Sequence, residues 1–317
     1  MYVSVIGGIN TDFKGSSYEK LSLKTSNPGR IFYSSGGVAR NVAHNLCKLE
    51  VPVNLFGAVG NDVFGEIILA ELDNLKINTN FIKICDNRRT GVYLAILDEK
   101  KDMFVSISDM DIINEININY IKKHKDTLLQ SKIVFLEANL EPQTIEYILK
   151  ILENTNVYTV FNAVSNLKVK KLKNITGKID YLTLNFSELK SLREQENLNF
   201  FDYKSIQKTF PEKFPNIFNL IVTNGEEGVL LLNNRFKRAD FFSVAEVEDS
   251  EIVDANGAGD AFTAGFIYGI YKDADIEKSI EYGIKASQIT LKSPKTVADE
   301  LSPKIFGVGS KGIDFSS

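Results

Sequence analysis

The stretch Val253-Asp254-Ala255-Asn256-Gly257-Ala258-Gly259-Asp260-Ala261-Phe262 places two carboxylates and two glycines just before a run of small and apolar residues that extends to Tyr271. This pattern predicts a glycine-containing loop that opens a helix. Backbone N–H groups in the first turn of a helix lack intrahelical partners and lie at its positive end, so they can bind an anion. A carboxylate that only capped the helix would need neither the glycines nor Asp254. The pattern therefore favours an active site, with Asp260 inside it.

The same stretch resembles the D-x-x-G-A-G-D-x-F signature of the ribokinase-like (PfkB) carbohydrate kinases at every fixed position. By that resemblance Asp260 is the catalytic base. The backbone amides of Gly257, Ala258 and Gly259 form an anion hole for the transferring phosphoryl group. Chemistry supports these roles, because phosphoryl transfer depends on positioning and charge stabilisation, and a carboxylate can accept the attacking hydroxyl's proton.

Composition limits the kinds of partner and compartment. The 317 residues are 44% hydrophobic, enough for a sizeable core, and we expect one domain over residues 1–317 with a small inserted lid. A net charge of −4 argues against nucleic-acid and anionic-membrane partners. The sequence has neither a signal-peptide pattern nor a membrane-span pattern, and Cys47 and Cys85 lack metal-ligand spacing. These features predict a cytoplasmic protein.

The opening residues predict a buried strand, Tyr2 to Ile6, followed by Gly7-Gly8-Ile9-Asn10-Thr11-Asp12. Ligands of α/β sheets bind at the carboxyl ends of strands, but the G-x-G-x-x-G spacing of a dinucleotide site is absent. Asn10 and Asp12 supply an amide and a carboxylate suited to adjacent hydroxyls, with an Asx turn as the alternative. In the family that the chain resembles, this N-x-D binds sugar hydroxyls.

Two β-prone segments, about 13–34 and 91–108, interrupt the α/β pattern. The second consists of two apolar runs around a polar turn at Asp98 to Asp102, which predicts a hairpin. The resemblance implies that both segments form a small β-sheet lid that closes over the sugar. Lids of this kind often pair between subunits, so the resemblance also suggests a homodimer.

Between these segments, apolar residues at helical spacing follow Gly36-Gly37, which predicts a helix opened by two glycines. Gly36, Gly37 and Asn41 match the G-G-x-x-x-N of the family, which implies further sugar contacts. Arg40 and His44 lie on the same predicted helix. We interpret them as a solvated arginine and an ordinary surface or packed histidine, and assign neither a role.

The rest of the chain alternates predicted strands and helices, including strands near Ile133, Tyr158 and Tyr181. This order predicts a doubly wound α/β fold with a mostly parallel sheet flanked by helices, as the ribokinase-like resemblance also implies. The Lys- and Asn-rich segment from Lys168 to Asn174 is interpreted as a solvated loop.

Two later motifs carry the nucleotide predictions. The N-x-x-E spacing of Asn185 and Glu188 is typical of a capping box, but in the family it orders Mg²⁺ and its waters near the nucleotide phosphates, with Glu188 acting through water. The family's T-x-G-x-x-G matches at Thr223, Gly225 and Gly228, where hydroxyl and amides meet the ATP phosphates; by pattern alone it is a glycine-rich hairpin.

The resemblance adds two weaker sites on the nucleotide side. The predicted helix from Ile276 to Leu291 would close the adenine side through Ala286 and Ser287. A monovalent-cation site, for K⁺, would involve Asp254 and Asn256 together with the loop that follows this helix.

The sequence thus predicts an ATP- and Mg²⁺-dependent kinase that phosphorylates the primary (5′) hydroxyl of a sugar or nucleoside. Within the family, the segment from Thr25 to Gly29 and residues 36–46 look most like bacterial pseudouridine kinases, so Thr25, Ser26 and Asn27 are expected to contact a uracil ring. A plain polar turn is the structural alternative. Ribokinase, fructokinase and other nucleoside kinases remain alternatives. A sugar-binding regulatory protein that kept the fold is the non-enzyme alternative, against which the intact Asp260 motif argues.

Overall fold

The computed structural model describes residues 1–99 and 101–307, and short runs rich in branched and aromatic residues form its strands. In chain order the strands are β1 Val3–Ile6, β2 Asn10–Ser17, β3 Gly29–Gly36, β4 Val53–Gly60, β5 Ile82–Cys85, β6 Gly91–Leu97, β7 Met103–Asp109, β8 Ile133–Glu137, β9 Tyr158–Asn162, β10 Ile179–Asn185, β11 Ile217–Thr223, β12 Val229–Asn233 and β13 Arg238–Phe242.

Among the described residues, helices fill five of the connections between these strands, and two more helices follow the last strand. In chain order they are α1 Val38–Lys48, α2 Val63–Asn74, α3 Ile118–Lys123, α4 Lys125–Leu129, α5 Pro142–Leu152, α6 Phe186–Arg193, α7 Tyr203–Lys213, α8 Ala258–Tyr271 and α9 Ile276–Leu291. The predicted bounds of α9 agree with the structure, and α8 begins inside the glycine-containing motif, as predicted.

Nine strands form the main sheet, in the order β13-β12-β11-β10-β9-β8-β1-β4-β5. The seven strands from β11 to β5 are parallel to their neighbours, while β12 and β13 add an antiparallel edge. This confirms the doubly wound, mostly parallel fold. Because parallel strands need crossover connections, helices cover both faces of the sheet.

Side chains alternate between the two faces and build two cores. One core packs the sheet against α3 to α7 and includes Leu136 and Phe161. The other packs it against α1, α2, α8 and α9 and includes Val5 and Phe135. These strands are buried on both sides, which explains their nearly continuous apolar sequences. The cores fix the carboxyl edge of the sheet, where the predicted polar residues lie.

A separate four-stranded sheet has the order β3-β2-β6-β7. β2 pairs antiparallel with β3 and parallel with β6, and β6 pairs antiparallel with β7. The two predicted β-prone segments therefore come together in one small sheet, with the expected hairpin between β6 and β7.

The Lys168 to Asn174 segment is a 3₁₀ helix rather than a solvated loop. Val169 and Leu172 are buried in it, which explains why the segment is ordered against the core. No helix of the described residues has the length and apolar character needed to span a membrane.

Candidate active site

The beginning of α8 has the backbone geometry that its glycines predict. Gly257 precedes the helix with φ of 82°, a left-handed conformation that favours glycine, and a side chain there would collide with Thr296. Apart from its two chain neighbours and the backbone of its own helix, a Cβ at Gly259 would meet no atom of the described residues within 4 Å. Gly259 therefore borders open space that can accommodate an anion, while the Ala258 amide makes a long bond of 3.4 Å to the Ala255 carbonyl.

Asp260 lies in this first turn and is held by a residue distant in sequence. Asn41 Nδ2 of α1 donates to Asp260 Oδ2 at 2.9 Å. Burial, followed by the nearby carboxylates of Glu137 and Asp12, raises the pKa of Asp260 to about 7, although the Asn41 hydrogen bond lowers it. A carboxylate with this pKa can take up a proton near neutral pH, as a general base requires.

The predicted sugar residues lie together beside Asp260. Asn10 Nδ2 donates to Asp12 Oδ1 at 2.5 Å, and a Cβ at Gly36 would collide with the Asp12 carboxylate. Gly37 caps α1 with φ of 99°. The glycines thus permit close approach of α1 to β2, and this packing brings Asn10, Asp12 and Asn41 to one cleft.

Three polar residues that the sequence interpretation missed adjoin this cleft. At the end of β8, Glu137 is fully buried and accepts from the Gly8 amide at 2.6 Å and from Asn139 Nδ2 at 2.7 Å. Asn139 Oδ1 accepts from the ammonium of Lys168. For Glu137 and Asn139, the position at the end of a buried strand was the available signal, since ligand-binding residues of α/β sheets follow strand ends.

Gly8 connects these residues to the predicted sugar site. A Cβ at Gly8 would lie 3.1 Å from Met110 Cε and 3.2 Å from Asn139 Nδ2. On the other side, the Gly8 carbonyl accepts from the Arg40 amide at the start of α1. Asn139 and Met110 therefore border the same cleft as Asn10, and the Lys168 ammonium bonds to the side chain of Asn139.

A cavity of about 430 Å³ lies on the other side of the α8 N-terminus. It is lined by Thr223, Gly225, Gly259 and Ser287, among mostly apolar residues. Ala286, predicted with Ser287 on the adenine side, is instead fully buried where α9 packs against Gly265 of α8. It cannot reach the cavity because α9 presents Ala286 and Ser287 on different sides.

Gly228, the last glycine of the T-x-G-x-x-G motif, shapes the hairpin between β11 and β12. Gly228 has φ of 117°, and a side chain there would crowd Phe241 and Phe242 of β13. Gly225 also has a left-handed φ, of 55°, but borders open space. Of these two glycines, Gly225 is the one that lines the cavity.

Asn185 and Glu188 form the capping box that their spacing indicates. Asn185 Oδ1 accepts from the Glu188 amide and Glu188 Oε2 accepts from the Asn185 amide, both at 2.9 Å. Burial raises the pKa of Glu188. Glu188 also lines a smaller pocket with Asp260 and Thr223. One carboxylate and one amide beside an open pocket suit Mg²⁺, which keeps several of its waters.

The candidate monovalent-cation residues have other partners. Asp254 Oδ2 bonds to Lys14 Nζ of β2 at 3.0 Å, and Asp254 Oδ1 accepts from the Asn256 amide at 2.9 Å. Burial alone would raise the pKa of Asp254, but the Asn256 amide and Lys14 outweigh it and lower the pKa. An ammonium group therefore neutralises this carboxylate, which disfavours K⁺ at the same oxygens.

The predicted base-contacting turn lies at the outer end of the β2–β3 hairpin. Thr25 and Ser26 are exposed. The Asn27 side chain accepts from the Ser22 amide at 2.8 Å and donates to the Ser22 carbonyl at 2.9 Å. These bonds use the Asn27 amide within the turn, and they favour the polar-turn alternative.

The fold and site together are those expected of an α/β phosphotransferase, because the start of α8 lies between a polar cleft and an apolar cavity. A family model described as pfkB family carbohydrate kinase matches residues 1–303. The chain belongs to this family, and it is an ATP-dependent phosphotransferase that acts on a hydroxyl group of a sugar or nucleoside.

Relatives within the family differ in their acceptors. The chain is 27% identical to the pseudouridine kinase of Escherichia coli over 301 residues, which cover 95% of this chain and 94% of the relative. It is 26% identical to the ribokinase of Lactococcus lactis, covering 98% and 96%. The ribokinase structure from Giardia lamblia superposes with a TM-score of 0.81 at 18% identity, covering 96% and 98%, which supports the fold alone.

Proposed function

We propose that this kinase transfers the γ-phosphoryl group of ATP to the 5′-hydroxyl of pseudouridine. The similarity to the E. coli pseudouridine kinase supports this acceptor, but a ribokinase is almost as similar. The observation that carries the choice is Lys168, whose ammonium reaches Asn139 beside the cleft. Ribose remains the alternative acceptor.

Lys168 suits the base end of a nucleoside. Its ammonium has three donor hydrogens, of which Asn139 accepts one, so two remain for a carbonyl oxygen of uracil. Burial lowers the pKa of Lys168, although Glu137 opposes this. Met110 beside Gly8 would contribute an apolar contact to the ring. A plain sugar would leave these groups unused.

In the proposed mechanism, Asn10, Asp12 and Asn41 orient the sugar so that its 5′-hydroxyl faces Asp260. Asp260 accepts the hydroxyl proton while the hydroxyl oxygen attacks the γ-phosphorus of ATP. The amides of Gly257, Ala258 and Gly259 stabilise the charge on the transferring group, because N–H groups fixed before the reaction need no reorganisation. ADP and the 5′-phosphate are the products.

We also propose that ATP occupies the cavity between α8, α9 and the β11–β12 hairpin. Thr223 and Gly225 would contact its phosphates, and Ser287 would lie on the adenine side. Asn185 and Glu188 would hold Mg²⁺, with Glu188 acting through water; bound Mg²⁺ neutralises phosphate charge.

A substrate panel with two lysine variants tests the acceptor. For the wild type, we expect kcat/KM for pseudouridine to exceed that for ribose by at least about a hundredfold, because sites built to bind a substrate's polar group reject analogues that lack it. Lys168→Met should lower kcat/KM for pseudouridine by about tenfold and leave ribose turnover nearly unchanged.

Lys171→Met is the matched control, since Lys171 lies on the same 3₁₀ helix but donates to the backbone carbonyls of Leu140 at 2.9 Å and Asn139 at 3.4 Å rather than to the Asn139 side chain. It should leave the ratio of the two acceptors unchanged. Equal kcat/KM for ribose and pseudouridine in the wild type would contradict the proposed acceptor and favour a ribokinase.

We propose that the four-stranded sheet, with segments 13–34 and 91–108, is a lid whose outer face pairs with a second copy of this chain. By the strand register, Ile31, Tyr33, Val105 and Ile107 share the face opposite Asp12. These four side chains are between 47% and 75% exposed. An apolar patch on an exposed sheet is typical of an interface, and a twofold axis would bury the same patch on both copies.

Light scattering of purified protein tests the dimer. Ile107→Lys should convert the wild-type dimer to a monomer, because a charge would be buried at the interface. Leu167→Lys is the control, since Leu167 is 81% exposed outside this sheet and should leave the dimer intact. A monomeric wild type would refute the interface without affecting the proposed reaction.

A further inference from the structure

Arg40 is buried, in contrast to the solvated arginine expected from the sequence. Its side chain is 8% exposed, and Nη2 bonds to Glu71 Oε2 at 3.1 Å. Glu71 is itself 45% exposed, so this ion pair is partly exposed to solvent. Among the described residues, Arg40 Nε has no hydrogen-bond partner. Burying a guanidinium with one half-exposed partner and one unpaired N–H is a poor source of stability.

The second contact of the guanidinium points towards the reaction centre. Arg40 Nη1 donates to Asn41 Oδ1 at 3.3 Å, and Asn41 Nδ2 donates to Asp260 Oδ2 at 2.9 Å. An amide has one acceptor end and one donor end. The Arg40 cation on Asn41 Oδ1 therefore keeps Asn41 Nδ2 on the Asp260 carboxylate. Rotation of the amide by half a turn is opposed, because it would place Asn41 Oδ1 against Asp260 Oδ2.

We propose that Arg40 is a positioning residue for the phosphoryl-transfer reaction, acting through the Asn41 amide to keep Asp260 supplied with a hydrogen-bond donor. Arg40 does not touch substrate in this arrangement. The proposal rests on the assignment of Asp260 as the general base under the proposed function.

The donor matters because the other groups around Asp260 oppose its ionisation. Glu137 on β8 and Asp12 on β2 face it as carboxylates, and burial adds to their effect; Asn41 lowers the pKa of Asp260. His44, on the same helix as Arg40, stays neutral at assay pH because burial, and then Arg40 and Lys48, lower its pKa to about 3. Burial raises the pKa of Asp12, and the charge of Arg40 opposes this rise. Because ionised Asp12 disfavours ionised Asp260, the Asn41 amide is the contact through which Arg40 can favour the Asp260 carboxylate.

The sign of the expected effect follows from the role of a base. Activity requires ionised Asp260, so kcat/KM of the wild type should rise with pH through about 7. If Arg40→Met frees the Asn41 amide, Asp260 protonates more easily and this rise moves to higher pH. The shift should be on the order of one pH unit, since one hydrogen bond to a charged group has about that effect.

The test is the pH profile of kcat/KM for wild type, Arg40→Met, Asn41→Ala and the double variant. Asn41→Ala should shift the profile in the same direction, and the double variant should shift no further than Asn41→Ala alone, because Arg40 acts through that side chain. An unshifted profile in folded Arg40→Met, or additive shifts in the double variant, would overturn the proposal.

Glu71→Gln is the matched control. It removes the charge of the ion pair but leaves Arg40 on Asn41, so its pH profile should match the wild type. If the pH profile of Glu71→Gln shifts as far as that of Arg40→Met, the ion pair between Arg40 and Glu71 only supports the local fold. If Arg40→Met does not fold, Arg40→Gln replaces it, since glutamine keeps a polar group but is too short to reach both partners; an unshifted profile there also overturns the proposal.

Asp260→Asn separates this inference from the proposed function. If that variant keeps wild-type turnover, the base assignment fails and the position of the pH profile no longer reports Asp260. If it loses turnover while Arg40→Met keeps the wild-type profile, only the positioning role of Arg40 fails.

Discussion

The start of α8 and the turn at the outer end of the β2–β3 hairpin are both polar and glycine-containing, but they are held in different ways. Asp260 bonds to Asn41, 219 residues away in the sequence. Asn27 bonds to Ser22 and Thr25, within five residues. The first contact exists only when α1 packs on α8, whereas the second would form in an isolated turn.

This difference indicates which region the fold has organised for chemistry. A catalytic group must be held in one geometry by surroundings whose own positions are fixed. The α8 start meets that condition through two packed helices and a glycine with a left-handed φ. The turn has only its own bonds, so we expect substitutions there to affect the reaction least.

The largest effect should come from Asp260→Asn, which removes the proton acceptor but keeps the size and the hydrogen bonds of the side chain. We expect kcat to fall by about 10² to 10⁴ with little change in substrate affinity, because general-base catalysis contributes that much. Steady-state kinetics together with calorimetric binding measures both. A variant with near wild-type kcat would reduce Asp260 to a helix cap.

Gly259→Val should have the next largest effect. The added side chain has room in the folded protein but would project into the space between the cavity and the sugar cleft. We expect kcat to fall by about a hundredfold, the usual effect of losing an anion-hole donor, while KM for ATP changes little. Gly259→Ala is the graded control and should lose less. A raised KM for ATP at unchanged kcat would place the effect in nucleotide binding instead.

Lys14→Met tests the contact that joins the two regions, since Lys14 on the small sheet bonds to Asp254 before α8. Loss of this partly exposed ion pair should raise KM for the acceptor about two- to fivefold at similar kcat, because such pairs contribute up to about 1 kcal/mol. Lys178→Met, which removes a comparable ion pair to Asp180, is the control. An unchanged KM would mean that the Lys14 pair does not help to close the lid.

The smallest effect on catalysis should come from Asn27→Ala. It should destabilise the turn by about 1 kcal/mol, through loss of its side-chain hydrogen bonds, and leave the ratio of kcat/KM for pseudouridine and ribose unchanged. Thermal unfolding and the two-acceptor assay measure these quantities. A smaller ratio of the two kcat/KM values would instead support the prediction that Thr25, Ser26 and Asn27 contact the uracil ring.

Periodicity and local motifs determined much of this protein from the sequence alone. The bounds of α9, the hairpin of β6 and β7, and the glycine-led start of α8 follow from spacing and turn residues, which act within a few positions. The family signature around Asp260 is equally local, so the class of reaction follows from a short run of residues.

Tertiary structure alone decided which charged residues are buried and what they contact. Arg40, Lys168 and Lys14 have ordinary local sequences, and their partners Glu71, Asn139 and Asp254 lie 31, 29 and 240 residues away. A local pattern records whether a position faces the core, but not which distant side chain will meet it there. The environment that raises the pKa of Asp260 is assembled from α1, β2 and β8, so it exists only in the folded chain.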